Sequence, residues 1–189
     1  MTGNDAVHTM RTVQESLTAT VEASRSAPAY QAYLEVRERV LDMMEEAERL
    51  ASRPSGYWTE EVAGLEYMLD ASPLVIDRLR HHCYHLTGLL QYEYRDHHSM
   101  RRAEVAGKLA ALSALDGDGV LVPESPFLGG FGHVIDGRLV NLDTLKFYEV
   151  LIALNKAGSL SEFRDGSGDG KVVMEIGSGW GGFAYQFKT

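Results

Sequence analysis

One cysteine, Cys83, in 189 residues excludes an intrachain disulfide framework. Positive charge is also scarce: 18 Lys and Arg stand against 27 Asp and Glu, a formal net charge of -9. That surplus offers no general attraction to phosphate backbones or anionic lipid, so neither nucleic acid nor membrane is an expected partner. Apolar runs long enough to cross a bilayer are missing, because polar or charged residues interrupt every hydrophobic stretch. The first residues lack the basic and apolar regions of a signal peptide, and the expected location is the cytoplasm. No internal repeat is present, and the length suits one domain, or a small domain plus part of another.

What the chain does have is helical spacing over its first two thirds. Residues 1–28, rich in Thr and Ser, read as a flexible or weakly helical arm ending before Pro28. Residues 29–118 read as a helical cap region. Within it Tyr33, Val36, Val40, Met43, Met44, Ala47 and Leu50 recur at helical intervals, and the methionine pair is expected to fill core gaps. Thr59, followed by Glu60 and Glu61, suits the start of a helix running to about Asp70. Ser72 and Pro73 open another, LVIDRLRHHCYHLTG, which Gly88 can terminate, and a further helix is predicted from about Ser99 to Leu115.

Residues 119–189 change character. Asp136 and Gly137, between HVI and RLV, predict a two-residue hairpin turn, since both positions need positive φ. Asn141 or Asp143 is placed to cap a helix with Leu145, Tyr148, Leu151 and Ile152 on its apolar face and Gly158 at its end. The run Lys171–Ile176 has the continuous hydrophobicity of a strand covered on both faces, as in a parallel α/β sheet. Gly177, Gly179 and Gly181 then permit a sharp turn with N–H groups close to a ligand, before a helix starting at Gly182.

The spacing Gly177-x-Gly179-x-x-Gly182 also satisfies a dinucleotide fingerprint, a weak signal alone. Glu175 separates the alternatives. A carboxylate two residues before the first glycine would repel a pyrophosphate but can pair with the ammonium group of S-adenosylmethionine. The E-x-G-x-G-x-G arrangement after a hydrophobic strand resembles motif I of class I methyltransferases. PESPFLGGFGHVIDGRLVNLDTLKFYEVLIALNKAGSL, KVVMEIGSGWGGFAYQFK and RHHCYHLTGLL are similar to segments of bacterial sugar O-methyltransferases.

That resemblance, over roughly residues 80–189, implies a fold of the α/β class. This chain would hold a mainly helical N-terminal region, a short hairpin, and the first strand and glycine loop of a Rossmann-like sheet. It implies S-adenosylmethionine as cofactor, bound by Glu175, Gly177, Gly179 and Gly181 with Ser178 and Trp180 lining the loop. The acceptor would be a sugar or nucleotide-sugar hydroxyl. A class I sheet needs several further βαβ units, so the expectation is the N-terminal portion of a longer methyltransferase, inactive by itself. A nicotinamide-dependent oxidoreductase fragment and a non-catalytic helical interaction module are the alternatives. A homo-oligomer is left open.

Other chemistry is sparser. His81 and His85 stand four apart on a predicted helix, yet no HExxH glutamate or paired cysteines support zinc, and no metal site is expected. His82, His85 and His133 are candidates for the base that takes the acceptor's proton. Cys83 reads as packing, and Arg78, Arg80, Arg101 and Arg102 as a solvated basic scatter. Phe127, Phe131 and Tyr148 read as core, and Gly129–Gly132 as either a tight bend or a ligand loop.

Overall fold

The computed structural model describes residues 3–50, 55–164, 172–176 and 179–189. The protein is mainly helical with one two-stranded antiparallel sheet among these residues. It divides into two compact units, Met1–Leu79 and Arg80–Thr189. The composition changes near residues 28 and 118 fall inside these units.

The first unit contains α1 (Gly3–Arg25), α2 (Pro28–Arg49), α3 (Gly56–Ala63), a 3₁₀ turn (Glu66–Asp70) and α4 (Pro73–Ile76). Pro28 and Pro73 take first-turn positions, where a missing N–H costs nothing. The Ser24 hydroxyl donates to Asp77, while Tyr33 Oη donates to Met68 O and accepts from Ala71 N–H, both at 2.9 Å. Two expectations fail here. The Met43 and Met44 side chains are exposed, as are Val36 and Val40, and α2 buries no residue at all. Its side-chain hydrogen bonds to the rest of the unit, among the described residues, come from Gln31, Tyr33 and Arg37, in its N-terminal half. Thr59 is no cap: α3 starts at Gly56, and the Thr59 hydroxyl bonds back to Ser55 O at 3.1 Å.

The second unit holds the larger core. The predicted helix through LVIDRLRHHCYHLTG is broken into α4, α5 (Leu79–His82) and α6 (Tyr84–Thr87), and Gly88 closes α6 with φ +71°. After a 3₁₀ turn (Gln91–Tyr94), α7 (Ser99–Ser113) buries Val105, Leu109 and Leu112. Strands β1 (His133–Ile135) and β2 (Arg138–Val140) pair with His133 opposite Val140. Asp136 and Gly137 at their turn have φ +50° and +76°, as the primed turn requires. The Gly129–Gly132 segment is a tight bend: a Cβ at Gly130 would strike the Ser125 carbonyl, and one at Gly132 the Val140 backbone.

Helix α8 (Leu142–Lys156) organises this unit. Asn141 Oδ1 accepts from Thr144 N–H at 2.9 Å, and the Thr144 hydroxyl accepts in return from Asn141 N–H, a complete capping box. Leu145, Tyr148, Leu151 and Ile152 are buried as the spacing predicted, against α7 and Val120, Phe131 and Val140. Short α9 (Ser161–Arg164) follows, and α10 (Gly182–Lys188) packs on α8 through Phe147, Phe183 and Phe187.

The strand expected over Lys171–Ile176 takes another form. Residues 172–176 lie outside any strand, with Val172, Val173, Met174 and Ile176 exposed. A strand covered on both faces needs neighbours on either side, and among the described residues the sheet comprises β1 and β2 alone. No parallel, Rossmann-like sheet is present among those residues.

Candidate functional site

Gly181 caps the start of α10, and Trp180 just before it reaches Asp143 at the N-terminal end of α8. Gly177 and Ser178 lie outside the described residues; Glu175, Gly179, Trp180 and Gly181 are within them. Gly179 and Gly181 have φ +56° and +78°, in the left-handed region where a side chain would be strained. Glu175 is half-buried, and its Oε2 has no hydrogen-bond partner among the described residues. A carboxylate oxygen withdrawn from water without a donor is costly, so this atom is suited to receive a cationic or N–H group from a ligand.

Trp180 points back into the unit. Its Nε1–H donates to Asp143 Oδ2 at 3.2 Å, and its ring lies 4.0 Å from the guanidinium carbon of Arg80. Arg80 is the centre of the cluster. Its Nε donates to Glu124 Oε1 at 2.7 Å and its Nη2 to Asp143 Oδ2 at 3.0 Å, with Phe131 at 5.1 Å from the same carbon. Burial alone would lower its pKa, but Glu124 first, then Cys83 and Asp143, hold it above the ordinary value. Glu124 is held by its N–H donating to Leu139 O at 2.8 Å, and its Oε2 accepts from the Thr144 hydroxyl at 3.3 Å. Asp143 is in the first turn of α8, where a negative charge meets the positive end of the helix dipole.

Arg80 is therefore not part of a solvated scatter. Only 5% of it is exposed. A sequence signal existed: Ile76, Arg80 and Cys83 recur at helical spacing, and all three are buried. Arginine on an apolar stripe needs acid partners, and Glu124 and Asp143 lie in segments otherwise rich in core residues. Burial raises the pKa of the Cys83 thiol, against the pull of the neighbouring Arg80.

The candidate bases fall in two places. His82 is half-buried and His85 exposed on the α5–α6 stretch. Burial first, and then the nearby His85, lower the pKa of His82. His133, on β1, is buried at 3% exposure beside the Tyr94 ring (centroids 5.2 Å), and its Nε2 has no hydrogen-bond partner among the described residues. Burial, with Arg102 and Arg101 adding to it, depresses its pKa as well. Among the described residues no group of three or more His, Cys, Asp or Glu side chains is arranged to hold a metal. No helix among them is long and apolar enough to cross a membrane.

Compared with protein-family models, with curated proteins and with solved structures, the chain matches none.

Proposed function

We propose that this chain carries the helical region and donor loop of an S-adenosylmethionine-dependent O-methyltransferase acting on a sugar or nucleotide-sugar hydroxyl, within a Rossmann-like fold. The observation that carries this reading is the half-buried, unpartnered Oε2 of Glu175 beside a bend whose Gly179 and Gly181 have positive φ. In this reading Glu175 pairs with the ammonium of the donor's methionine part, and Gly177, Ser178, Gly179, Trp180 and Gly181 edge it. S-adenosylmethionine supplies the electrophilic methyl. The protein supplies alignment and a proton acceptor. His82 is favoured among the three histidines because its lowered pKa keeps it neutral near pH 7 while the side chain stays partly open to solvent. The exposed apolar run Val172–Ile176 suits a strand of the parallel sheet that this reading requires.

The test is an NMR titration of the protein with S-adenosylmethionine and, in a parallel arm, with NADH. Saturable shifts of the Gly179 and Gly181 amides are expected with the first ligand, weakened about tenfold in Glu175→Gln, as loss of a charge-assisted hydrogen bond dictates. Shifts produced by NADH alone would transfer the site to a nicotinamide oxidoreductase. Transfer of a labelled methyl to nucleotide sugars reads the acceptor.

A second reading, a non-catalytic helical interaction module that self-associates, is favoured by the exposed Val36, Met43 and Met44 on α2. Light scattering on the eluted protein distinguishes it: a discrete oligomer that Met43→Lys dissociates is its expected signature.

A further inference from the structure

Trp180 is held on two sides at once. The guanidinium of Arg80 faces its ring at 4.0 Å, and Asp143 Oδ2 takes the indole N–H at 3.2 Å while also accepting Arg80 Nη2 at 3.0 Å. Cation and anion are thus fixed to each other as well as to the ring. Arg80 is itself held by Glu124 and has the Phe131 ring 5.1 Å from its guanidinium carbon, and Arg80 and Asp143 are buried, so this clamp is anchored in the core. The indole in turn constrains the backbone that follows it. Gly182 is so close to the Trp180 and Phe147 rings that any Cβ there would run into both. Ring position and backbone path between Gly179 and Gly182 are therefore one variable.

We propose that Arg80 and Asp143 are positioning residues for the donor loop: by clamping the Trp180 indole they hold Gly179–Gly181 in the arc that receives the donor's methionine part. The proposal rests on the S-adenosylmethionine reading given above. Arg80 suits this role better than lysine because a planar guanidinium can cover a ring while its N–H edge serves two carboxylates. Neither residue needs to touch the donor.

The experiment uses the full chain with Trp58→Phe, which leaves Trp180 as its one indole. Solvent exchange of the indole N–H, followed by NMR, reports the clamp with no ligand added, and calorimetry with S-adenosylmethionine reports its consequence. In Asp143→Ala the N–H is expected to exchange about tenfold faster and the donor to bind about tenfold more weakly, the scale of one charge-assisted hydrogen bond. Arg80→Lys should weaken donor binding similarly while leaving the charge in place. Trp180→Phe keeps a ring over Arg80 without the N–H, guards against a misfolded Asp143 variant, and should bind the donor several-fold more weakly with unchanged circular dichroism. Unchanged indole exchange in Asp143→Ala overturns the clamp. Faster exchange with unchanged donor affinity overturns the positioning role. A parent protein that fails to bind the donor at millimolar concentration overturns the cofactor reading and the role built on it, and the ligand-free exchange data show that failure to be separate from loss of the clamp.

Discussion

Arg80 Nε and Glu124 Oε1 meet at 2.7 Å with side-chain exposures of 6% and 5%, so each charge depends on the other for the solvation that water no longer provides. Removing one partner strands the rest. Arg80→Met leaves Glu124 and Asp143 facing each other unneutralised, and about 3–5 kcal/mol of stability should be lost in urea denaturation of the Arg80–Thr189 unit. Neutralising the acids together with the arginine, in Arg80→Met/Glu124→Gln/Asp143→Asn, should restore most of that loss. Equal destabilisation of the single and triple variants would show that packing, and not charge pairing, governs the cluster.

Asn141 is closed to solvent and serves two segments. Its Oδ1 caps α8 through Thr144 N–H, and its Nδ2 donates to Phe131 O at 2.8 Å. Asn141→Ala removes the cap and orphans a buried carbonyl, so a loss of about 2–4 kcal/mol is expected. Asn141→Asp keeps the acceptor but cannot donate in its ionised form; thermal unfolding should place it between the two.

Stability should depend on pH in two separate windows. His133 and His82 both have pKa values depressed chiefly by burial. Above about 6.5 they are neutral folded or unfolded and contribute no slope. As pH falls through that value the unfolded chain takes up protons first, so stability drops until the depressed folded values are passed. Asp116 acts at lower pH. Burial opposes its charge, but the Tyr148 hydroxyl and the N–H groups of Asp118, Val120 and Gly119 lower its pKa below 3.8. Its contribution is complete above that value and is lost as pH falls through the lowered one. Denaturation midpoints across pH should lose part of the first slope in His133→Leu and part of the second in Asp116→Asn.

Gly182→Ala tests the crowding at the start of α10. The new methyl must displace both the Trp180 and the Phe147 ring. Overpacking of this kind costs about 1–3 kcal/mol, and a shift in Trp180 fluorescence should accompany it. A variant as stable as the parent, with unchanged emission, would mean that the rings move aside without cost.

Local chemistry made much of the second unit readable. Asp136–Gly137 admits only the turn that is found, and Asn141 before an apolar helix face is a cap on physical grounds alone. Spacing misled where it stood for burial. Val36, Met43 and Met44 have the periodicity of a core face, yet periodicity says which residues share a face and nothing about whether that face is covered. Val172–Ile176 failed similarly, since the hydrophobicity of an inner strand becomes burial only when neighbouring strands exist to pair with it. At the site, Gly179 and Gly181 have the positive φ that a cradle needs. The Arg80–Asp143–Trp180 clamp stayed hidden because Asp143 lies 63 residues beyond Arg80 and 37 before Trp180, so that the three meet only through tertiary packing.

The bare segment Val172–Ile176 governs how the purified material will behave. Five adjoining residues without proline, four of them apolar and open to water, form a sticky edge ready to zip against an identical edge on another molecule. Concentrating the protein should therefore produce fibrillar or amorphous precipitate, and a gatekeeper such as Val173→Lys should suppress it.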